Sequence, residues 1–156
     1  MTNDNMRKNL VEFLSKALAH VAIREALHNL KPGLRNIQPQ KGVHSIWEEF
    51  EHIRISQEDI LRYTLDPAWK SPKWPDEYWP DNSKLNDNIW NNSLSKFYLD
   101  LDEVINLVKN PKIDLTSEIP HGEGRTYLRQ VLLVIDHNAY HCGQIVLIRK
   151  LLSDWK

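Results

Sequence analysis

Apolar residues recur at steps of three and four along most of this chain, which is the spacing of one face of an α-helix. Four segments carry the pattern, and each predicts a helix: about 5–29, 45–65, 84–109 and 126–152. No strand-like alternation of apolar and polar residues stands out. The pattern therefore predicts an all-α fold, a four-helix bundle.

Capping and turn residues mark the ends of these helices. The motif Ser45-Ile-Trp-Glu48 fits a capping box, in which the serine side chain accepts from the amide of Glu48 and the glutamate reaches back to the cap. Thr126 fits as the cap of the fourth helix. Proline stops the first three helices, at Pro32, Pro67 and Pro111.

Two long connections separate the helices. Residues 34–43 lack an apolar period and hold Pro39 and Gly42, so we expect a loop that crosses the bundle. Residues 67–80 contain four prolines and the indoles Trp69, Trp74 and Trp79. Proline prevents regular structure there, and three indoles are too much apolar surface to leave in water. We interpret the segment as an ordered loop that seals one end of the core; the alternative is an aromatic wall beside a ligand pocket.

Composition narrows the class of protein. At 156 residues the chain is long enough for one domain, residues 1–156, with a real core. Lys and Arg number 20 against 21 Asp and Glu, so no basic field favours nucleic acid. The N-terminus lacks the apolar centre of a signal peptide, and no apolar run approaches membrane-spanning length. A single cysteine allows no internal disulfide. We expect a cytoplasmic protein that binds neither nucleic acid nor membrane.

The main chemical candidate lies in the fourth helix. His137 and His141 are four residues apart, so their imidazoles project from one helix face and can bind the same metal ion. That face continues through Val134, Ile145 and Ile148, which points the pair towards the core. The alternative is two core histidines that hydrogen-bond to neighbouring helices. Buried imidazoles need partners in either case.

A metal site needs a third protein ligand. His52 lies about 10 Å into a second helix that is about 30 Å long, and His137 and His141 lie about 20 Å into the fourth helix. If the two helices are antiparallel, the three histidines therefore lie at the same level. His20 matches in height if the first and fourth helices are parallel. Position favours His52 only narrowly, because His20 has Arg24 as a neighbour. We interpret the remaining histidines as surface or loop residues unless the loops fold over the site: His28, His44 and His121.

Other chemistries fit less well. A zincin protease needs glutamate directly after its first histidine, and this chain has Asn138 there. Cys142 points about 100° away from His141 around the helix, so a small buried thiol is the better interpretation. Asp136 is expected on the helix surface. Other polar residues that could reach a pocket receive no role from the sequence: Tyr140, Gln144, Glu48 and Glu49.

Several motifs together resemble those of the DinB/YfiT-like superfamily, a family of metal-binding proteins. They are the segments that start at His44-Ser-Ile-Trp, Trp74-Pro-Asp-Glu, His121-Gly-Glu-Gly and Asp136-His-Asn-Ala, and they span most of the chain. The resemblance implies a DinB-like domain with up-down-down-up helix order and long crossover loops. It also implies a metal triad, one histidine from the second helix and two from the fourth, which maps onto His52, His137 and His141.

The resemblance also suggests a function. Three neutral imidazoles suit zinc or nickel, with iron or cobalt as alternatives, and leave coordination positions open. Known relatives in the superfamily include S-transferases and isomerases that use low-molecular-weight thiols. This implies a metal-dependent thiol S-transferase or a hydrolase with a small-molecule substrate. The alternative is a non-catalytic, metal-stabilised stress-response or ligand-binding module. The family also suggests a homodimer, for which Trp47 or Trp155 could supply the contact.

Overall fold

The computed structural model describes residues 2–155, and the all-α prediction is confirmed there. Four long helices and one short helix make up the fold: α1 (Thr2–Ser15), α2 (Ile23–Ala26), α3 (Ile46–Leu65), α4 (Asp87–Lys109) and α5 (Tyr127–Leu151). Single 3-10 turns lie at Pro32–Leu34, Asp76–Tyr78 and Asn82–Lys84. Within residues 2–155, β-type pairing is limited to one bridge between Glu118 and Thr126.

Contacts between α3 and the later helices give their directions. Along α3, Gln57 donates to the Phe97 carbonyl of α4, and Arg62, further on, pairs with Glu103, so these two helices run parallel. Against α5 the order is reversed. Glu49 meets His141, whereas residues about two to four turns further along α3 meet residues before His141. The two helices that carry the histidines are therefore antiparallel, as predicted.

Helix α1 completes the topology. Arg7, near its start, donates to the Val108 carbonyl near the end of α4. Leu14, at its end, lies beside Leu101, further back along α4. Because α1 opposes α4 while α4 parallels α3, the helix order α1, α3, α4, α5 is up-down-down-up. A parallel α3–α4 pair requires the chain to return the full length of the bundle, which residues 66–86 do.

The first predicted helix is wrong in its length. We expected one helix over 5–29, but α1 ends at Ser15 and a separate turn, α2, begins at Ile23. Residues 16–22 contain no proline or glycine, so local propensity did not reveal the break. Tertiary contacts explain it: Ala26 is fully buried, and the buried Arg149 of α5 donates to the carbonyls of Ala26 and His28. These two hydrogen bonds hold residues 26–28 against α5, in a position that a straight continuation of α1 would not reach.

The predicted caps are confirmed. Ser45 and Glu48 form both bonds of the capping box, and the Thr126 side chain accepts from the amide of Arg129. Helix α4, the third of the four predicted helices, begins slightly later than predicted because the Asn86 side chain caps it.

The core consists of two apolar clusters separated by a polar layer. One surrounds Phe50 and Phe97, and the other surrounds Leu61 and Val134. Between them, the buried Gln57 donates to the Phe97 carbonyl and accepts from Asn138. Trp47 belongs to the first cluster at 2% exposure and packs on Trp90. It therefore cannot supply a dimer contact, which corrects that expectation; the homodimer itself stays a prediction.

Helix α5 is long and apolar enough to cross a membrane, with a mean hydropathy of 1.3 in its most apolar window. This corrects the expectation that no run reaches such a length. In the bundle, its polar residues engage the neighbouring helices: Asn138 bonds to Gln57, His141 to Glu49, and Arg149 to the α2 region. A core helix uses polar residues in this way, so length and apolarity alone do not make α5 a membrane segment.

Candidate metal centre

Three histidines meet between α3 and α5. His52 comes from α3, and His137 and His141 project one turn apart from the facing side of α5. One ligand nitrogen from each lies within 4.8 Å of the other two. The Nε2 atoms of His52 and His137 are 3.1 Å apart, and each ring centroid lies within 4.9 Å of the others. These three nitrogens can hold one metal ion.

The outer nitrogens of two rings are fixed by acceptors. His52 Nδ1 donates to the Tyr78 carbonyl at 2.9 Å, and His141 Nδ1 donates to Glu49 Oε2 at 2.6 Å. A carbonyl and a carboxylate only accept, so the proton of each neutral ring lies on Nδ1. Each Nε2 then carries a lone pair that faces the centre of the triad. Metal-binding histidines are commonly oriented in this way.

His137 distinguishes a metal site from a pair of satisfied core histidines. Its Nδ1 is buried and has no hydrogen-bond partner among residues 2–155. Its Nε2 lies 3.1 Å from the Nε2 of His52, whose lone pair faces the same point. A buried imidazole with so few partners is costly, and a cation shared by the three nitrogens would offset the cost. The donor set therefore fits a divalent metal better than the hydrogen-bonded alternative.

Burial keeps His52 and His137 in their ligating form. The pKa of His137 falls from its ordinary 6.5 to about 3, mainly because burial disfavours the charged ring and also because His141 and His52 lie beside it. Burial also lowers the pKa of His52, although the bond to the Tyr78 carbonyl opposes the shift. Neutral imidazole is the form that binds metal.

Glu49 connects the triad to a fourth histidine. Its Oε2 accepts from His141, and its Oε1 accepts from His44 Nδ1 at 3.1 Å. We had interpreted His44 as a surface or loop residue, and the loop does fold over the site. The sequence contained a usable signal for Glu49, since it lies one helical turn before His52. Glu48 instead caps α3.

The proline-rich loop forms part of the site. The Trp79 ring stacks on His52 at 4.1 Å between ring centroids and lies 4.0 Å from His44. Trp74 is 71% exposed with its ring 6.5 Å from His52. On the α5 side, Tyr140 is 63% exposed and contacts His141. The loop therefore packs its aromatic rings against the histidines of the candidate site.

Asp59 anchors this loop to α3. One carboxylate oxygen accepts from the Trp69 indole and the other from the Tyr78 hydroxyl. Burial and the carboxylate of Asp59 raise the pKa of Tyr78, so its hydroxyl keeps the proton that it donates. The Tyr78 carbonyl, which orients His52, is thereby held in place. No sequence pattern selects Asp59, because its partners lie in a loop without periodicity.

Comparison with known protein families agrees with this architecture. The family model of the DinB superfamily matches residues 18–145. The chain belongs to the DinB superfamily. Neither the curated proteins nor the solved structures that were searched give a significant match.

Several other candidates lie away from the triad of this DinB-superfamily protein. His20 and His28 are exposed, and His121 bonds to the Tyr63 carbonyl. Asp136 is exposed, as expected. Cys142 is buried, its thiol donates to the Val21 carbonyl, and burial raises its pKa to about 11. It is therefore a neutral packing residue rather than a nucleophile.

The low pKa of His137 predicts an acid-sensitive metal-free protein. Below pH 6.5 the His137 side chain binds a proton in the unfolded chain, whereas in the folded chain it stays neutral down to about pH 3. The free energy of unfolding therefore decreases as the pH falls through this range. Urea unfolding of metal-free protein between pH 7.5 and pH 5 measures the loss. His137→Asn should reduce the pH dependence, because the amide does not titrate there. An unchanged dependence would contradict the assignment.

Glu49 should tune metal affinity without being a ligand. Glu49→Gln removes the charge behind His141, and we expect zinc affinity to fall about 10–100-fold. Competition with a chromophoric chelator measures it. Glu48→Gln is the matched control: it weakens the capping box and hence stability, while zinc affinity stays at the wild-type value. If the two variants bound zinc with equal affinity, Glu49 would have no role in orienting His141 for metal binding.

Proposed function

We propose that this protein binds one divalent metal ion through His52, His137 and His141 and uses it to transfer a low-molecular-weight thiol to a small electrophile. The observation that carries the proposal is the convergence of three imidazole nitrogens, two of them held in the ligating tautomer by Tyr78 and Glu49. Zinc or nickel fits this donor set best.

Three protein ligands leave room for a substrate group, which is typical of catalytic rather than structural sites. When bound, such a metal supplies a Lewis acid that lowers the pKa of a thiol or of water. The chain orients the triad through Glu49 and the Tyr78 carbonyl. Trp79 covers one face of His52, while the exposed rings of Trp74 and Tyr140 offer apolar surface beside the triad. An apolar electrophile suits those rings.

The choice of thiol transfer over hydrolysis rests on the acid–base groups. A protease-type hydrolase uses a free carboxylate as general base. Glu49, the carboxylate bonded to the triad, has both oxygens engaged by histidines. Asn138, next to His137, is engaged by Gln57. Thiol transfer needs no separate base when the pKa of the thiol is already lowered, so these contacts favour it over protease-type hydrolysis; hydrolysis by metal-activated water is the second candidate.

Metal content and activity test the proposal together. We expect zinc-loaded wild type to retain about one ion per chain after dialysis, by analogy with three-ligand catalytic sites. It should then catalyse the reaction of cysteine or glutathione with monochlorobimane: a C–S bond forms, chloride leaves, and the thiol proton passes to buffer. His52→Ala, His137→Ala and His141→Ala should each lose both properties. His28→Ala, an exposed histidine, is the matched control and should keep both.

The other outcomes separate the alternatives. Stoichiometric zinc in all three variants would contradict the assignment of the three histidines as metal ligands. Zinc bound through the triad without thiol consumption, but with cleavage of p-nitrophenyl acetate, would favour a hydrolase. Zinc bound through the triad with neither activity would favour a non-catalytic, metal-stabilised ligand-binding module.

A further inference from the structure

A cavity lies beside a different face of α5 from the one that carries the histidine triad. It occupies about 270 Å³ between the end of α1, the segment that leads to α2, and helices α4 and α5. On α5 its wall is formed by Ile135, Asn138, Ala139 and Cys142, whereas His137 and His141 do not line it. The cavity is therefore distinct from the candidate metal centre, although both share one helix.

The break between α1 and α2 borders this cavity. Residues 15, 16, 18–20 and 22–24 line it as the chain crosses between the two helices. Leu18 and Phe13 are 50% and 56% exposed, an unusual degree for large apolar residues beside a cavity. Their position gives the cavity an apolar rim that faces solvent.

The interior is apolar and chemically inert. Leu101, Ile105 and Ile135 form much of its wall, and the thiol of Cys142 is occupied by the Val21 carbonyl. Burial keeps that thiol neutral by raising its pKa to about 11. Such a wall favours reversible burial of hydrocarbon rather than covalent chemistry.

Charge at the cavity is unbalanced. Lys16 and Arg24 line it against the single carboxylate of Asp102. Lys16 already pairs with Glu12, but Arg24 has no carboxylate within 4 Å among residues 2–155. Its guanidinium instead lies over the Tyr98 ring, 4.7 Å from the centroid. A guanidinium held in this way presents its N–H groups to a carboxylate.

Volume limits the size of the occupant. An apolar cavity of about 150 Å³ accommodates benzene, so about 270 Å³ accommodates roughly ten non-hydrogen atoms. We propose that this cavity binds a small monocarboxylate with an apolar tail of about seven carbons, its tail inside the cavity and its carboxylate on Arg24. The site does not depend on the proposed thiol transfer.

Calorimetric titration with sodium octanoate tests the proposal. Octanoate should bind metal-free and zinc-loaded protein equally, since a carboxylate on the metal would require zinc. Octanol and octylammonium of the same length should bind at least about tenfold more weakly, because octanol carries no negative charge to pair with Arg24 and octylammonium is repelled by it. If octanol bound as tightly as octanoate, the proposed contact between a carboxylate and Arg24 would be wrong. If octylammonium bound more tightly, the polar end of the ligand would be recognised by Asp102 instead.

Variants locate the site. Arg24→Gln should weaken octanoate binding about tenfold or more, whereas Arg129→Gln, an exposed arginine elsewhere, should not change it. Ala139→Phe should abolish binding by filling the cavity, with circular dichroism to confirm the fold. Methyl chemical shifts of the wild type provide an independent measurement: Ile105 and Ile135 should move on titration. Shifts confined to residues around the triad, or unchanged binding in Arg24→Gln, would refute the site.

Discussion

The antiparallel packing of α3 on α5 is the constraint on which the candidate site depends. Neither helix alone brings three imidazoles together, because His137 and His141 occupy one face of α5 and His52 belongs to a different segment. The packing fixes the height of His52 against that pair, and Glu49, one turn earlier on α3, meets His141 for the same reason. A shift of one turn, about 5.4 Å, would separate both pairs.

A bundle with so polar an interior needs compensation at each polar group. Gln57 is fully buried, yet both ends of its amide are bonded, one to the Phe97 carbonyl and the other to Asn138. Because the Phe97 carbonyl only accepts, the orientation of both amides is determined. This layer ties α3 to α4 and α5 at the level where the triad begins. The compensation is incomplete: among residues 2–155, His137 Nδ1 and Asn138 Oδ1 are buried polar atoms without a hydrogen-bond partner.

Sequence patterns predicted what depends on local periodicity and on known motifs. The caps at Ser45 and Thr126, the length of α3 and the pairing of His137 with His141 follow from spacing within one helix. The choice of His52 over His20 needed the family resemblance as well. The break after Ser15 could not be predicted, since Arg149, more than a hundred residues away, holds the chain beyond it. Asp59 and His44 were missed for the same reason: their partners are brought close only by the folded loop.

Helix α5 shows why one element can serve two sites. Residues 137 and 141 share one face, while residues 135, 138, 139 and 142 share another, centred about 130° further around the axis. The first face is polar and meets α3; the second is mostly apolar and meets the segment between α1 and α2. Asn138 and Gln57 connect the two sides through one hydrogen bond. A ligand that displaced Asn138 would therefore disturb α3 one to two turns from His52, which makes the candidate metal centre and the proposed carboxylate site physically contiguous.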